Sequence, residues 1–204
     1  MDPAQTTQGS VPMSDELSED ANVDRLTREI EELRGRVAHL QERVEQLDQL
    51  AHEDSLVGLP NRRGFVRALE RLIDRVARYG ESAAILFVDL DGLKVINDSF
   101  GHAAGDEALI RVARLLVDGV RKSDMVARIG GDEFAVLLGH ADKGQADETA
   151  SRLIDLIASC DLIHDGNPLP LSVAVGATSI EPNDTTESAM ARADREMYRV
   201  KVAA

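Results

Sequence analysis

The longest regular pattern in the chain is a run of apolar residues between residues 23 and 51, spaced alternately by three and four. The run comprises Val23, Leu26, Ile30, Leu33, Val37, Leu40, Val44, Leu47 and Ala51. β-Branched residues at nearly every a position and leucine at every d position favour a parallel two-stranded coiled coil. An amphipathic helix packed on its own domain is the alternative, but such a helix usually has a wider apolar stripe. The pattern therefore predicts a homodimer through residues 23–51.

After this run the apolar pattern breaks into shorter segments. Gly58 and Pro60 interrupt the helix, so residues 54–63 are predicted to form a linker turn. Helices are predicted over 62–79, 93–100, 104–121, 143–160 and 185–201, strands over 83–89 and 170–178, and a hairpin over 125–138. Helices that alternate with mostly non-consecutive strands, together with one hairpin, favour an α+β sandwich with a central, mainly antiparallel sheet.

Length and composition indicate how the chain is divided into segments. The chain has 204 residues, which is enough for one folded domain and an appendage. Residues 1–21 are acidic and polar, and we expect them to be disordered. The expected organisation is therefore this tail, a coiled-coil helix over 22–52 and a folded domain over 53–204.

Charge and cysteine content exclude several classes of protein. The net charge of −14 argues against nucleic-acid binding. The sequence has no apolar run of about 18 residues and no signal-peptide pattern, so we expect neither a membrane span nor export. The single cysteine, Cys160, suits a reducing cytoplasm, and we expect it to be an inert residue on a helix face.

Acidic residues stand where two apolar runs end. The Gly-Gly pair at 130–131 separates two apolar runs, which predicts a two-residue hairpin turn with positive φ at both glycines. Asp132 and Glu133 would then lie at its tip or on the first residues of the returning strand. Upstream, the apolar run 84–88 ends in Asp89, and a strand that delivers an acid at its end is a common way to hold Mg²⁺. The turn alone is equally consistent with an ordinary hairpin.

Five segments, in matching order and spacing, resemble the GGDEF-domain diguanylate cyclase family. They are DSLVGLPNRR at 54–63, DLDGLKVIND at 89–98, GHAAGDEAL at 101–109, RIGGDEF at 128–134 and ADREMYRVK at 193–201. The resemblance covers about residues 52–204 and implies a palm-like sheet related to those of nucleotide cyclases and polymerases. The chain departs from the family at Val57, where threonine is usual, and at Leu93, where phenylalanine is common. The family's Gly-Arg-Asn after Lys201 is absent, which bears on the affinity for GTP.

The resemblance implies that two GTP molecules are joined into cyclic di-GMP with release of two pyrophosphates. It assigns two Mg²⁺ ions, for which Mn²⁺ can substitute, to Asp89, the Leu90 carbonyl, Asp132 and Glu133. Asp132 would also accept the proton of the attacking 3′-hydroxyl, with Glu133 and Lys94 as further catalytic residues. Because a carboxylate of ordinary pKa is a poor base, the metal ions must supply most of the activation.

The same resemblance assigns the recognition of guanine to Asn97 and Asp106. Both residue types also cap helices, and that is the alternative for each. The remaining substrate-binding positions are His102, Lys201, Gly130 and Gly131. The lysines could equally lie on solvated helix faces, and His102 could serve in packing or capping.

The Arg-x-x-Asp at Arg121 and Asp124 resembles the family's inhibitory product site, to which Arg152 could add a contact. Since each chain would bind one GTP, two chains must face each other, and the coiled coil would bring them together. The leading interpretation is a dimeric, product-inhibited diguanylate cyclase. A non-catalytic cyclic di-GMP receptor that signals through its coiled coil is the alternative, and a scaffold with a relic domain explains the intact acids less well.

Overall fold

The structure is a computed structural model that describes the backbone of residues 13–203 and the side chains of residues 25–44 and 51–202. The chain divides into two compact units, residues 1–48 and 49–204. In the described part of the chain, no helix is long and apolar enough to cross a membrane.

The first helix, α1 (Met13–His52), begins earlier than predicted. Residues 1–12 of the predicted disordered tail lie outside the described residues, but residues 13–21 are helical. Their acidic side chains are compatible with this, because negative charge near a helix N-terminus is favourable. Six seam residues have 45–64% of their surface exposed on the single chain: Leu26, Ile30, Leu33, Val37, Leu40 and Val44. The predicted coiled coil stays a prediction.

The second unit is built around a four-stranded sheet with the order β2-β3-β1-β6, in which every neighbouring pair is antiparallel. Its elements are α2 (Arg62–Tyr79), β1 (Ala83–Leu90), α3 (Leu93–Phe100), α4 (His102–Asp118), β2 (Met125–Arg128), β3 (Glu133–Gly139), α5 (Lys143–Ala158), β4 (Ile163–His164), β5 (Asn167–Pro168), β6 (Val173–Ser179) and α6 (Thr186–Ala203). The predicted α+β class with a mainly antiparallel sheet is confirmed.

Helices cover both faces of the sheet, and all eight residues of the central strand β1 are therefore buried. Leu86 and Val88 point to the face covered by α4 and α5, and Ile85 and Phe87 point to the face covered by α2 and α6. This is the sandwich that the sequence predicted.

Helix α6 lies unusually close to strand β6 at Gly176. A Cβ atom on Gly176 would lie 2.0 Å from the backbone nitrogen of Met197, so only glycine fits there. This contact fixes the second half of α6 against the sheet and thereby positions Lys201, one turn further along the helix.

Candidate active site

The three acids that the sequence singled out lie at one edge of the sheet. Asp89, the penultimate residue of β1, is the register partner of Glu133, the first residue of β3. The backbone N–H of Leu90 donates to the Asp132 carbonyl at 3.0 Å, which ties the loop before β3 to the end of β1. Asp89 is 6% exposed, so the strand end delivers a nearly buried carboxylate.

The turn between β2 and β3 differs from the prediction. It is a four-residue loop over 129–132, and neither glycine has a positive φ, so the predicted two-residue turn is wrong. A Cβ atom on Gly130 would lie 2.3 Å from the Glu133 carboxylate. The glycine lets this side chain lie close over the turn and is not called for by the backbone conformation. Gly131 has open space around its Cα, and its carbonyl oxygen accepts a hydrogen bond from Arg128.

Negative charge accumulates at this edge. Burial raises the pKa of Glu133, and the nearby charges of Asp132 and Asp89 raise it further, while Arg62 acts in the opposite direction. The Lys201 ammonium donates to Asp89 Oδ1 at 2.5 Å, and this hydrogen bond raises the pKa of Lys201. Lys201 is therefore the cation that compensates the buried acid.

The donor chemistry of this edge fits a hard divalent cation, since carboxylate and carbonyl oxygens are the ligands that Mg²⁺ prefers. Among the described residues, however, no group of three or more His, Cys, Asp or Glu side chains has the geometry to hold a metal ion. The predicted ligands Asp89, Leu90, Asp132 and Glu133 lie close together, but they are not arranged as a finished metal centre.

The residues predicted to read guanine lie where α3 meets α4. Asn97 lies directly over Gly105, where an added Cβ would be 2.0 Å from its Oδ1. Asp106 is exposed on the first turns of α4. The N-cap of α4 is Gly101, which has no side chain to cap with, so the capping alternative for Asp106 is not seen. His102 is the exposed first residue of α4.

Lys94 is exposed on α3, and the described side chains offer it no hydrogen bond or ion pair. The structure thus brings Lys201 to the acids but leaves Lys94 without a visible connection to them.

Sequence reasoning gave no role to two residues that hold the turn in place. Arg128 donates from Nη1 to Asp54 Oδ1 at 3.1 Å and from Nη2 to the Gly131 carbonyl at 2.7 Å. Asp54 also accepts the backbone N–H groups of Leu56 and Val57. Arg128 therefore joins the linker before α2 to the Gly-Gly turn. Both residues stood in the family-like segments, but nothing in their spacing indicated that they meet.

A second unforeseen contact lies beside Asp106. His164 Nδ1 is 2.7 Å from Oε2 of Glu107, the next residue on α4. His164 belongs to the small β4–β5 hairpin, in a segment for which no strand was predicted. The sequence signal for this hairpin is the Asp165-Gly166 pair. Both residues have positive φ in the structure, as a two-residue hairpin turn requires.

The residues of the predicted product site come together away from the acids. Arg121, Asp124 and Arg152 line a single cavity of about 400 Å³. The Asp124 carboxylate accepts the Arg121 N–H at 3.0 Å and the Gly139 N–H at 3.3 Å, so it also stabilises the turn before β2.

Comparison with known proteins agrees with this geometry. The family model for the diguanylate cyclase GGDEF domain matches residues 51–204. Diguanylate cyclase TpbB of Pseudomonas aeruginosa is 39% identical over 174 residues, and the match covers 84% of this chain and 40% of TpbB. Diguanylate cyclase DgcP of the same species is 36% identical over 185 residues, with 84% of this chain and 28% of DgcP covered. The chain thus spans less than half the length of both relatives.

Among solved structures, the coiled coil and GGDEF domain of DgcB from Caulobacter crescentus, in complex with c-di-GMP, matches with a TM-score of 0.75 at 26% identity. That match covers 91% of this chain and 95% of the DgcB chain. Because the family model covers most of the chain and includes the whole sheet and its acidic edge, the protein belongs to the GGDEF-domain diguanylate cyclase family.

Proposed function

We propose that this protein is a diguanylate cyclase that condenses two GTP molecules into cyclic di-GMP and two pyrophosphates. The observation that carries the proposal is the pairing of Asp89 with Glu133 across β1 and β3, with Asp132 beside them. This family member keeps all three acids at the edge of the sheet. In each of the two steps, a ribose 3′-oxygen bonds to an α-phosphorus, the bond to pyrophosphate breaks, and the hydroxyl proton goes to the Asp132 carboxylate.

The acidic edge would hold Mg²⁺, or Mn²⁺ in its place, through Asp89, the Leu90 carbonyl, Asp132 and Glu133. Such ions would stabilise negative charge on the attacking oxygen and on the leaving pyrophosphate. Burial is the main cause of the raised pKa of Glu133, and the further increase from Asp132 and Asp89 supports this proposal, because a cation would relieve the repulsion among these carboxylates. Lys201, which compensates Asp89 in the structure, would contact a phosphate oxygen, and Lys94 would do the same from α3.

Guanine would be read by Asn97 and Asp106. A carboxylate accepts hydrogen bonds from N1 and N2 of guanine, and an amide can form hydrogen bonds with the polar atoms of the base that the carboxylate leaves free. Asp106 supports this role because it is exposed and no described residue engages its side chain. His102, Gly130 and Gly131 would complete the walls of the site.

The reaction needs two chains, because one site binds one GTP and the second nucleotide must be presented by another copy. The exposed apolar seam of α1 supports dimerisation, since six large apolar side chains are otherwise left in water. We place the reaction in the cytoplasm, to which a chain with one unpaired cysteine is suited.

Cyclic di-GMP would inhibit the enzyme by binding in the cavity that Arg121, Asp124 and Arg152 line. Two arginines and a carboxylate suit the phosphates and the guanine edge of this product. Arg121→Ala should raise the product concentration that gives half-maximal inhibition, while the exposed neighbour variant Lys122→Ala should not. Equal inhibition curves for Arg121→Ala and wild type would place the inhibitory site elsewhere.

The first test is direct. The full chain, stripped of nucleotide, is incubated with GTP and Mg²⁺, and the products are identified by chromatography. Cyclic di-GMP with pyrophosphate from wild type and from Asp155→Ala, an exposed acid on α5, but not from Asp132→Ala, supports the proposal. If turnover is absent but cyclic di-GMP binds, the protein is a receptor of the product. Turnover by Asp132→Ala would remove Asp132 from the mechanism.

A further inference from the structure

A second cavity, in which arginines outnumber acids, lies behind the Gly-Gly turn. It has a volume of about 400 Å³ and is lined by three arginines, Arg62, Arg63 and Arg128, together with Gly130. We call it the arginine cavity. The product cavity described above shares none of its lining residues. Its remaining walls come from Ala51, Asp54, Asn61 and Ile129.

The arginine cavity carries an excess of positive charge. Its one carboxylate, Asp54, is already paired with Arg128 and accepts two backbone N–H groups. Arg62 and Arg63 are exposed, and neither guanidinium has a hydrogen bond or an ion pair with any side chain that the structure describes. The charge of Arg62 also acts on Glu133, outside the cavity, whose pKa it lowers. Within the cavity, three guanidinium groups accompany one carboxylate.

The cavity is also held in a defined shape. The Asp54 carboxylate and the Gly131 carbonyl fix the guanidinium of Arg128, and its Nε is buried without a hydrogen-bond acceptor within the described part of the chain. Arg62 and Arg63 begin helix α2, whose first turn contains no acidic residue, and this end of a helix favours anions.

We propose that the arginine cavity binds the phosphate group of an anionic ligand, supplied by free pyrophosphate or by a nucleotide. Guanidinium groups present paired N–H donors that match phosphate oxygens, and a cavity of this volume is in the range of small-molecule sites. The inference does not depend on cyclase activity, because it rests only on the charges and geometry of the cavity.

The test observes the arginine side chains directly. The full chain, labelled with ¹⁵N-arginine, is titrated with inorganic pyrophosphate and separately with cyclic di-GMP, in EDTA so that no metal complex forms at the acidic edge. The Nε–H resonances of the three arginines are followed by NMR and assigned from single variants. Arg63→Gln should weaken binding about tenfold, which is the loss of one charge-assisted hydrogen bond. The matched control is Arg67→Gln, an exposed arginine one turn further along α2.

Movement of the Arg128 and Arg62 resonances, weakened by Arg63→Gln and not by Arg67→Gln, supports the proposal. A response to pyrophosphate alone identifies a free polyphosphate as the ligand, and a response to cyclic di-GMP identifies a nucleotide phosphate. Unmoved arginine resonances with both ligands would overturn the proposal. Equal weakening by Arg63→Gln and Arg67→Gln would also overturn it, because binding would then reflect general charge.

Discussion

The substitution Asp184→Asn tests whether an ion pair at the start of α6 holds that helix on the sheet. Asp184 accepts two hydrogen bonds from the Arg192 guanidinium, both at 2.6 Å, and its side chain is 4% exposed. Ser188 Oγ and the Glu181 N–H donate to the same carboxylate at 2.7 Å. Because the guanidinium also donates to the Ser179 carbonyl at 2.8 Å, the pair links the loop before α6 to the end of β6.

The size of the effect follows from the pKa of Asp184, which the hydrogen bonds from Arg192 lower from 3.8 to about 2. Each pKa unit corresponds to about 1.4 kcal/mol, so the ionised carboxylate contributes about 2 kcal/mol to folding. Since the folded-state pKa is lowered, this contribution is complete above the unfolded pKa and is lost as the pH falls through about 2. At pH 3 about half of it should remain.

Urea denaturation of wild type and Asp184→Asn between pH 3 and 7 measures this contribution. At pH 7 the variant should lose about 2–3 kcal/mol of unfolding free energy, which includes the cost of leaving Arg192 poorly paired. Asp147→Asn is the control, because it breaks the exposed pair of Asp147 with Lys143 on α5 and should cost less than about 0.5 kcal/mol. A loss no larger than the control, or a difference that does not shrink at pH 3, would refute the reasoning.

Three further substitutions test the site and its framework. Gly105→Ala should raise the KM for GTP severalfold with little loss of stability, because the new methyl group displaces Asn97; an unchanged KM would mean that Asn97 does not contact the base. Gly176→Ala should destabilise the fold by more than about 2 kcal/mol in urea denaturation, because the Cβ would overlap the Met197 backbone; normal stability would contradict the close packing of α6. Leu33→Pro should sharply reduce cyclase activity at low protein concentration by breaking the α1 seam, as an activity titration would show; activity independent of concentration would contradict the need for two chains.

The fold could largely be predicted from the sequence because its elements have strong local signals. The apolar run of β1 and the periodic apolar face of α2 gave boundaries that agree with the structure within one or two residues. The β4–β5 hairpin was missed because two-residue strands have no periodicity, although its Asp165-Gly166 turn was readable. The start of α1 was misplaced because acidic composition was taken as disorder.

The site was harder to predict, because its important contacts join distant parts of the chain. Asp89 and Lys201 are separated by 112 residues, and Arg128 and Asp54 by 74. Hydrophobic periodicity carries no information about such pairs. The Gly-Gly turn shows a different limit. The sequence correctly marked the place, but the turn has neither glycine at positive φ, and Gly130 instead lies close under the Glu133 side chain, a contact that no local rule describes.

The arrangement of α6 makes the stability of the fold and the charge balance of the site depend on the same helix. The helix is fixed at its start by the Asp184–Arg192 pair and near its end by the close approach of Met197 to Gly176. Beyond that contact, Lys201 reaches the buried carboxylate of Asp89. The acids come from the sheet and are held by strand pairing, whereas their compensating cation comes from helix α6. Weakening the contacts that hold α6 on the sheet should therefore impair phosphate binding by Lys201 before the sheet unfolds. Asp184→Asn should accordingly raise the KM for GTP under conditions in which the protein remains folded.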